Sequence, residues 1–81
     1  MRLDKYLKVT RLIKRRTVAN EVCDAQRVFV NGKPARASYD VKEGDVIEIQ
    51  MGNKPLKVKV LKVSEYVTKE DASTHYTVLE Q

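Results

Sequence analysis

The amino-acid sequence predicts an α+β fold in one domain covering residues 1–81, two short helices followed by a small, mostly antiparallel sheet. Three observations predict it. Apolar residues recur at helical spacing as far as Cys23 and then switch to the alternation of strands. Asn31-Gly32 closes the first of those strands with the strongest short hairpin signal a sequence can carry. With 81 residues, 42% hydrophobic, one Phe and no Trp, the chain can fill a single core, mostly of small aliphatic side chains.

In the first helix Leu3, Tyr6 and Leu7 form one apolar edge, and Arg2, Lys5, Lys8 and Arg11 surround it. Asp4 lies in the first turn, where the helix dipole favours an anion, and Lys8 follows four residues later. A helix-start and ion-pair role therefore accounts for Asp4. Leu12 and Ile13 are expected to plug the core between the helices. Lys14-Arg15-Arg16 marks the connection, and Thr17 is the expected N-cap of the second helix. There Val18, Ala19, Val22 and Cys23 make a narrow apolar stripe, with Asn20, Glu21 and Asp24 turned outward. Three cations just before a helix N-terminus, whose free N–H groups and dipole favour an anion, make a natural phosphate site.

Arg27-Val28-Phe29-Val30 reads as a strand. Its return partner starts near Lys33, and Pro34 marks that partner as an edge. Glu43-Gly44 is a turn. From Val46 to Met51 the residues alternate, with Val46, Glu48 and Gln50 on one face and Ile47, Ile49 and Met51 on the other. Gly52-Asn53-Lys54-Pro55 forms the next turn. Leu56, Val58 and Val60 alternate with Lys57 and Lys59, which read as solvent face and edge protection. The parity then shifts to Leu61 and Val63, which predicts a bulge near Val60-Leu61. The tail from Thr68 reads as a helical turn and then a strand at Tyr76-Thr77-Val78-Leu79, with a helix over those last four residues as the alternative.

Composition excludes several classes of function. A lone Cys23 forbids an internal disulfide and reads as a small buried residue, and one Cys with one His cannot build a zinc site. No apolar run is long enough to span a membrane, and MRLDKYLK lacks the apolar core of a signal peptide, so a cytoplasmic protein is expected. There is no Gly-rich phosphate loop, no metal-ligand spacing and no nucleophile–base pair. His75, the single histidine, reads as a surface or partly packed residue. No catalytic residue, metal or cofactor is expected, and the chain is not expected to be an enzyme.

The charge is lopsided. Residues 1–36 hold ten Lys or Arg against three Asp or Glu, and the remainder holds six against eight. Together with a pI near 9.5, this points to a polyanionic partner. Arg2, Arg11, Arg15, Arg16 and Arg27 can grip phosphate oxygens with a planar fork that lysine lacks. Tyr6 is the one aromatic among the basic helices and is assigned to the core. Recognition of a folded RNA by shape and phosphates is therefore favoured over base stacking. The outward residues of the second helix offer no evident base-reading set for DNA.

Four pieces in order carry a family likeness: Arg2-Leu3-Asp4-x-x-Leu7, Arg16-x-x-Ala19, Arg27-Val28-Phe29-Val30-Asn31-Gly32 and Val41-x-x-Gly44-Asp45-x-Ile47. Over residues 1–50 they resemble the S-four RNA-binding domain, also called the alpha-L motif, and within it the heat-shock S-four family. Residues 51–81 form a C-terminal extension. The resemblance implies two packed helices against a small curved sheet. It implies binding to 23S ribosomal RNA of an obstructed large (50S) subunit and to the peptidyl-tRNA still on it. It further implies support for the tailing factor RqcH, which directs alanine tailing of stalled chains, in the cytoplasm. A monomer is expected. Arg2, Asp4 and Arg16 fall on the motif and take over its RNA-facing role. Lys5, Lys8 and Arg15 follow from the same helices, Arg27 and Lys33 from charge, and Arg11 and Lys14 complete the expected surface.

Two other uses of the module stay open: an RNA-docking accessory subunit for ribosome assembly or an RNA-modification enzyme, and a protein adaptor working through its sheet. One position departs from the family pattern. Gln26 stands where the domain usually has glycine at the end of the second helix, so that helix is expected to end differently or with strain.

Overall fold

A computed structural model of the chain describes residues 1–52 and 54–79. Two helices, α1 (Leu3–Val9) and α2 (Arg16–Asp24), precede strands β1 (Val28–Val30), β2 (Lys33–Pro34), β3 (Val46–Met51) and β4 (Lys54–Val60). A single turn of 3-10 helix at Ala72–Thr74 and strand β5 (Tyr76–Val78) complete the fold. The strands form one sheet in the order β2-β1-β3-β4-β5, and every pairing is antiparallel. The expected α+β fold is observed, with the helical turn and last strand of the tail.

The apolar positions read from periodicity are the core. Leu3, Tyr6 and Leu7 of α1 and Ala19 and Cys23 of α2 pack on Val28, Val30, Ile47, Ile49, Val58 and Val60 of the sheet. Ile13 is buried, while Leu12, Val18 and Val22 pack partly exposed at the edge. Burial, with the charges of Asp4 and Asp24 behind it, pushes the Cys23 thiol pKa up to about 11, so at neutral pH it is an inert core residue.

Both helices end on a left-handed residue that is not glycine. At the end of α2 the Gln26 amide donates to the Cys23 carbonyl and the Arg27 amide to the Val22 carbonyl, each at 3.0 Å, with Gln26 at φ 61°. This is a Schellman ending, the geometry glycine would supply, imposed here on a residue with a Cβ. At the end of α1, Arg11 has φ 63° and donates to the Lys8 carbonyl at 3.0 Å. The turn it makes feeds Ile13 back into the core, where its amide donates to the Leu7 carbonyl at 3.0 Å.

Asn31 and Gly32, at φ 53° and 83°, turn β1 into β2 with the two positive φ values of a type I′ hairpin. The Asn31 side chain also reaches across to the turn before β3. Its Oδ1 accepts the Val46 amide at 3.0 Å, and its Nδ2 donates to Asp45 Oδ1 at 3.1 Å. The other Asp45 oxygen accepts the Tyr39 hydroxyl and the Lys42 amide, both at 3.0 Å. Two turns far apart in sequence are thus clipped together.

Three strand-level expectations change. Lys54 and Pro55 belong to β4 rather than to a turn, because Met51 already pairs with Lys54 across a tighter hairpin at Gly52. Asn53, which the sequence also assigns to a turn, lies outside the described residues. The bulge falls one residue later than expected. Strand β4 ends at Val60, and the amides of Leu61 and Lys62 both donate to the His75 carbonyl, at 2.9 and 3.1 Å. His75 itself is 3% exposed rather than on the surface, since the 3-10 turn folds its ring inward and the Tyr6 hydroxyl donates to its carbonyl at 2.8 Å.

Candidate nucleic-acid interface

The site begins with the way each helix starts. The first amides of α1 have internal partners: Leu3 donates to the Tyr39 carbonyl at 2.7 Å, Asp4 to the Ala37 carbonyl at 3.2 Å and Lys5 to Asp4 Oδ1 at 2.8 Å. Residues 37–41 therefore do what a capping side chain would do, and the Val41 amide returns a bond to the Met1 carbonyl at 2.8 Å. The start of α2 is different. Thr17 is not its cap: Arg15 occupies that position without a side-chain bond, and Thr17 lies inside the first turn. Among the described residues the amides of Arg16, Thr17 and Val18 have no protein partner. An open helix end carrying Lys14, Arg15 and Arg16, all exposed, favours an anion through both its N–H groups and its dipole.

Asp4 fixes the arginines beside that end. Its side chain is 3% exposed and lies between two guanidiniums. Arg2 Nε donates to Oδ1 at 3.2 Å, Arg16 Nε to Oδ2 at 3.4 Å and Asn20 Nδ2 to Oδ2 at 3.3 Å. Burial by itself would push the Asp4 carboxyl pKa up. The hydrogen bonds from Asn20, Arg2 and the Lys5 amide, with the Arg16 charge, outweigh burial and hold it below the usual aspartate value. The carboxylate is thus ionised at neutral pH and anchors both arginines. The expected Asp4–Lys8 ion pair is replaced by these partners, and Asn20, expected to turn outward, is one of them.

The arginines themselves remain half in solvent, with side-chain exposures of 51% for Arg2 and 50% for Arg16. Arg16 spends its Nε on Asp4 and directs its remaining donors to solvent, since among the described residues they meet no protein acceptor. Arg2, Asp4, Arg16, Thr17, Asn20 and Glu21 line an open groove of about 510 Å³ between the helix starts. What it can do chemically is present oriented N–H donors to phosphate oxygens.

The structure brings Arg2, Asp4 and Arg16 into one constellation, while Lys14 and Arg15, the two residues before Arg16, line a separate hollow with Leu12, Ile13 and Val18. Lys8 and Arg11 are exposed at the far end of α1. Lys5 forms an ion pair with Glu65 at 3.3 Å. Arg27 follows the opposite end of α2, and Lys33 lines a separate hollow with Val30, Asn31 and Tyr39. These two are not brought into the groove. Asn20 is the site residue that sequence reasoning missed. It stands four residues after Arg16, on the same helix face, and that spacing was the available signal. Among the described residues no group of side chains could hold a metal, and no helix is long and apolar enough to cross a membrane.

The chain is similar to known proteins. A family model described as the S4 domain matches residues 1–47. The chain is 54% identical over 81 residues to the RQC P-site tRNA stabilizing factor of Streptococcus pneumoniae, covering 100% of this chain and 92% of that one. It is 49% identical to the factor of the same name from Bacillus subtilis, over 100% of this chain and 94% of the relative. The trimeric structure of Vibrio cholerae Heat Shock Protein 15 superposes with a TM-score of 0.90 at 28% identity, covering 98% of this chain and 81% of that one. The likeness expected from the four sequence pieces is met by the family match over residues 1–47, and the named relatives match the whole chain: it belongs to the S4 domain family, in the group whose members carry the name RQC P-site tRNA stabilizing factor.

Proposed function

We propose that this chain is a non-catalytic ribosome quality-control factor that stabilises peptidyl-tRNA on the obstructed large (50S) subunit. It does so by gripping RNA phosphates, those of 23S ribosomal RNA and of the tRNA, with the face built from α1 and the start of α2. The observation that carries the reading is the pair of guanidiniums held by buried Asp4 beside an uncapped helix end. A generic basic surface would not spend a buried carboxylate on fixing two arginines. The names of the relatives supply the setting. Holding the tRNA in this way supports RqcH-dependent alanine tailing of the stalled chain. The protein works in the cytoplasm, on the ribosome and as a monomer. In support of the last point, the constellation is complete within one chain, although the Vibrio cholerae relative was solved as a trimer.

Co-sedimentation with large subunits carrying peptidyl-tRNA tests the reading. Wild-type protein is expected to pellet with them and Arg16→Ala to stay in the supernatant. Affinity should fall by roughly 0.7–0.9 log units per log unit of salt for each phosphate neutralised. Normal binding by Arg16→Ala at physiological salt would overturn the assignment of the groove.

A further inference from the structure

One aromatic side chain stands almost wholly in solvent. The Tyr6 hydroxyl donates to the His75 carbonyl, the Tyr39 hydroxyl donates to Asp45, Tyr76 packs on the core and Phe29 is partly buried in the sheet. Tyr66 is 90% exposed, and among the described residues its ring and hydroxyl meet nothing. The segment carrying it is nevertheless fixed at several points. Upstream, the Leu61 and Lys62 amides are tied to the His75 carbonyl and Val63 packs on the core. Ser64 Oγ accepts the Tyr66 amide and donates to the Tyr66 carbonyl, both at 3.3 Å. Downstream, the Asp71 amide closes a turn onto the Thr68 carbonyl and hydroxyl. The residue next to Tyr66, Glu65, is the ion-pair partner of Lys5 on α1. The C-terminal extension thus returns to α1 through Glu65 and carries an exposed ring at the next residue, on a segment that exposes Lys62 and Lys69 together with Glu65, Glu70 and Asp71.

We propose that Tyr66 is a stacking platform for one unpaired RNA base at the edge of the α1 surface. The inference rests on the RNA reading of the basic face and adds to it a contact with a base. A tyrosine fixed at its backbone has two side-chain torsions to order on binding, and every base offers it a π-face. The platform therefore selects for an unpaired base without reading its identity. It also gives residues 61–71 a share in binding, outside the matched residues 1–47.

The test uses the full chain and two short RNA hairpins, one with a single unpaired 2-aminopurine bulged from its stem and one fully paired. Wild-type protein should quench the 2-aminopurine fluorescence and prefer the bulged hairpin, and Tyr66→Phe should keep both properties. Tyr66→Ala should lose the quenching and roughly tenfold in affinity for the bulged hairpin, and bind the paired one unchanged. Unaltered binding of the bulged hairpin by Tyr66→Ala would refute the platform. So would a variant that binds both hairpins normally and fails only on subunits bearing a protein partner, which would make Tyr66 a protein contact. If Arg16→Ala binds both hairpins as wild type does, the RNA reading of the basic face has itself failed, and the platform falls with it.

Discussion

Replacing Asp4 with Asn removes a negative charge from a chain of net charge +5, so a protein that held RNA by bulk charge would bind it more tightly. The opposite is expected here. Asp4 takes Arg2 and Arg16 at 3.2 and 3.4 Å from a side chain that is 3% exposed. An Asn of the same shape keeps one acceptor oxygen and turns an N–H toward the donors, which frees at least one guanidinium. Ordering a loose arginine on binding costs about 0.5–1.5 kcal/mol, so two cost about 1–3 kcal/mol. The attraction gained by losing one negative charge is at most about 1 kcal/mol in water and is screened by salt. Affinity for an RNA hairpin, read by fluorescence anisotropy, should drop roughly tenfold. The fold should lose about 1–2 kcal/mol, discounted for arginines half in solvent, or roughly 4–16 °C in Tm. The pH dependence has a definite sign. The folded carboxyl titrates below 3.8, so its contribution is complete above that value and is lost as pH falls through the lower folded pKa. The stability gap between wild type and Asp4→Asn should therefore close on the acid side. Binding as tight as wild type, in a variant that circular dichroism shows folded, would refute the positioning role.

Gln26→Gly should raise stability. A left-handed residue with a Cβ costs about 1–2 kcal/mol, glycine returns about 0.5–1 kcal/mol in chain entropy, and the net is roughly 0.5–1 kcal/mol or 2–8 °C in Tm. A lower Tm would contradict that accounting. Tyr6→Phe removes the buried hydroxyl that donates to the His75 carbonyl at 2.8 Å. That carbonyl still accepts two amides, so the loss is about 1–1.5 kcal/mol, and thermal unfolding should show it without a change in RNA affinity below the transition. No fall in Tm would mean the hydroxyl adds nothing.

The features legible in the sequence were those decided locally. The burial of Leu3, Tyr6 and Leu7, the Asn31-Gly32 hairpin and the turn at Gly44 each follow from neighbours a few residues away. The misreadings share a cause, which is partners distant in sequence. α1 alone offers Asp4 only Lys8 as a partner, whereas Arg16 and Asn20 lie 12 and 16 residues on and arrive only when the helices pack. Thr17 reads as a cap by residue type, yet the cap position falls two residues earlier, at Arg15, and leaves the first amides open at the basic corner. His75 reads as a surface or partly packed residue because its neighbours show no apolar face; the 3-10 turn and Tyr6, 69 residues away, hold that segment down. Nothing in the sequence marks Tyr66, since the ion pair that returns its loop to α1 joins residues 60 apart. The arginines could be named from the chain, and their fixed orientation could not.

The clip between Asn31 and Asp45 bears on how the sequence can change over time. An Asp at position 31 would set a carboxylate against Asp45, and an Asn at position 45 would have to turn an oxygen toward both Asn31 Nδ2 and the Lys42 amide. Neither turn can be rewritten alone without breaking a bond in the other, so the two stretches, 14 residues apart, are expected to change together. A recognisable signature split across the chain is what such a constraint leaves behind.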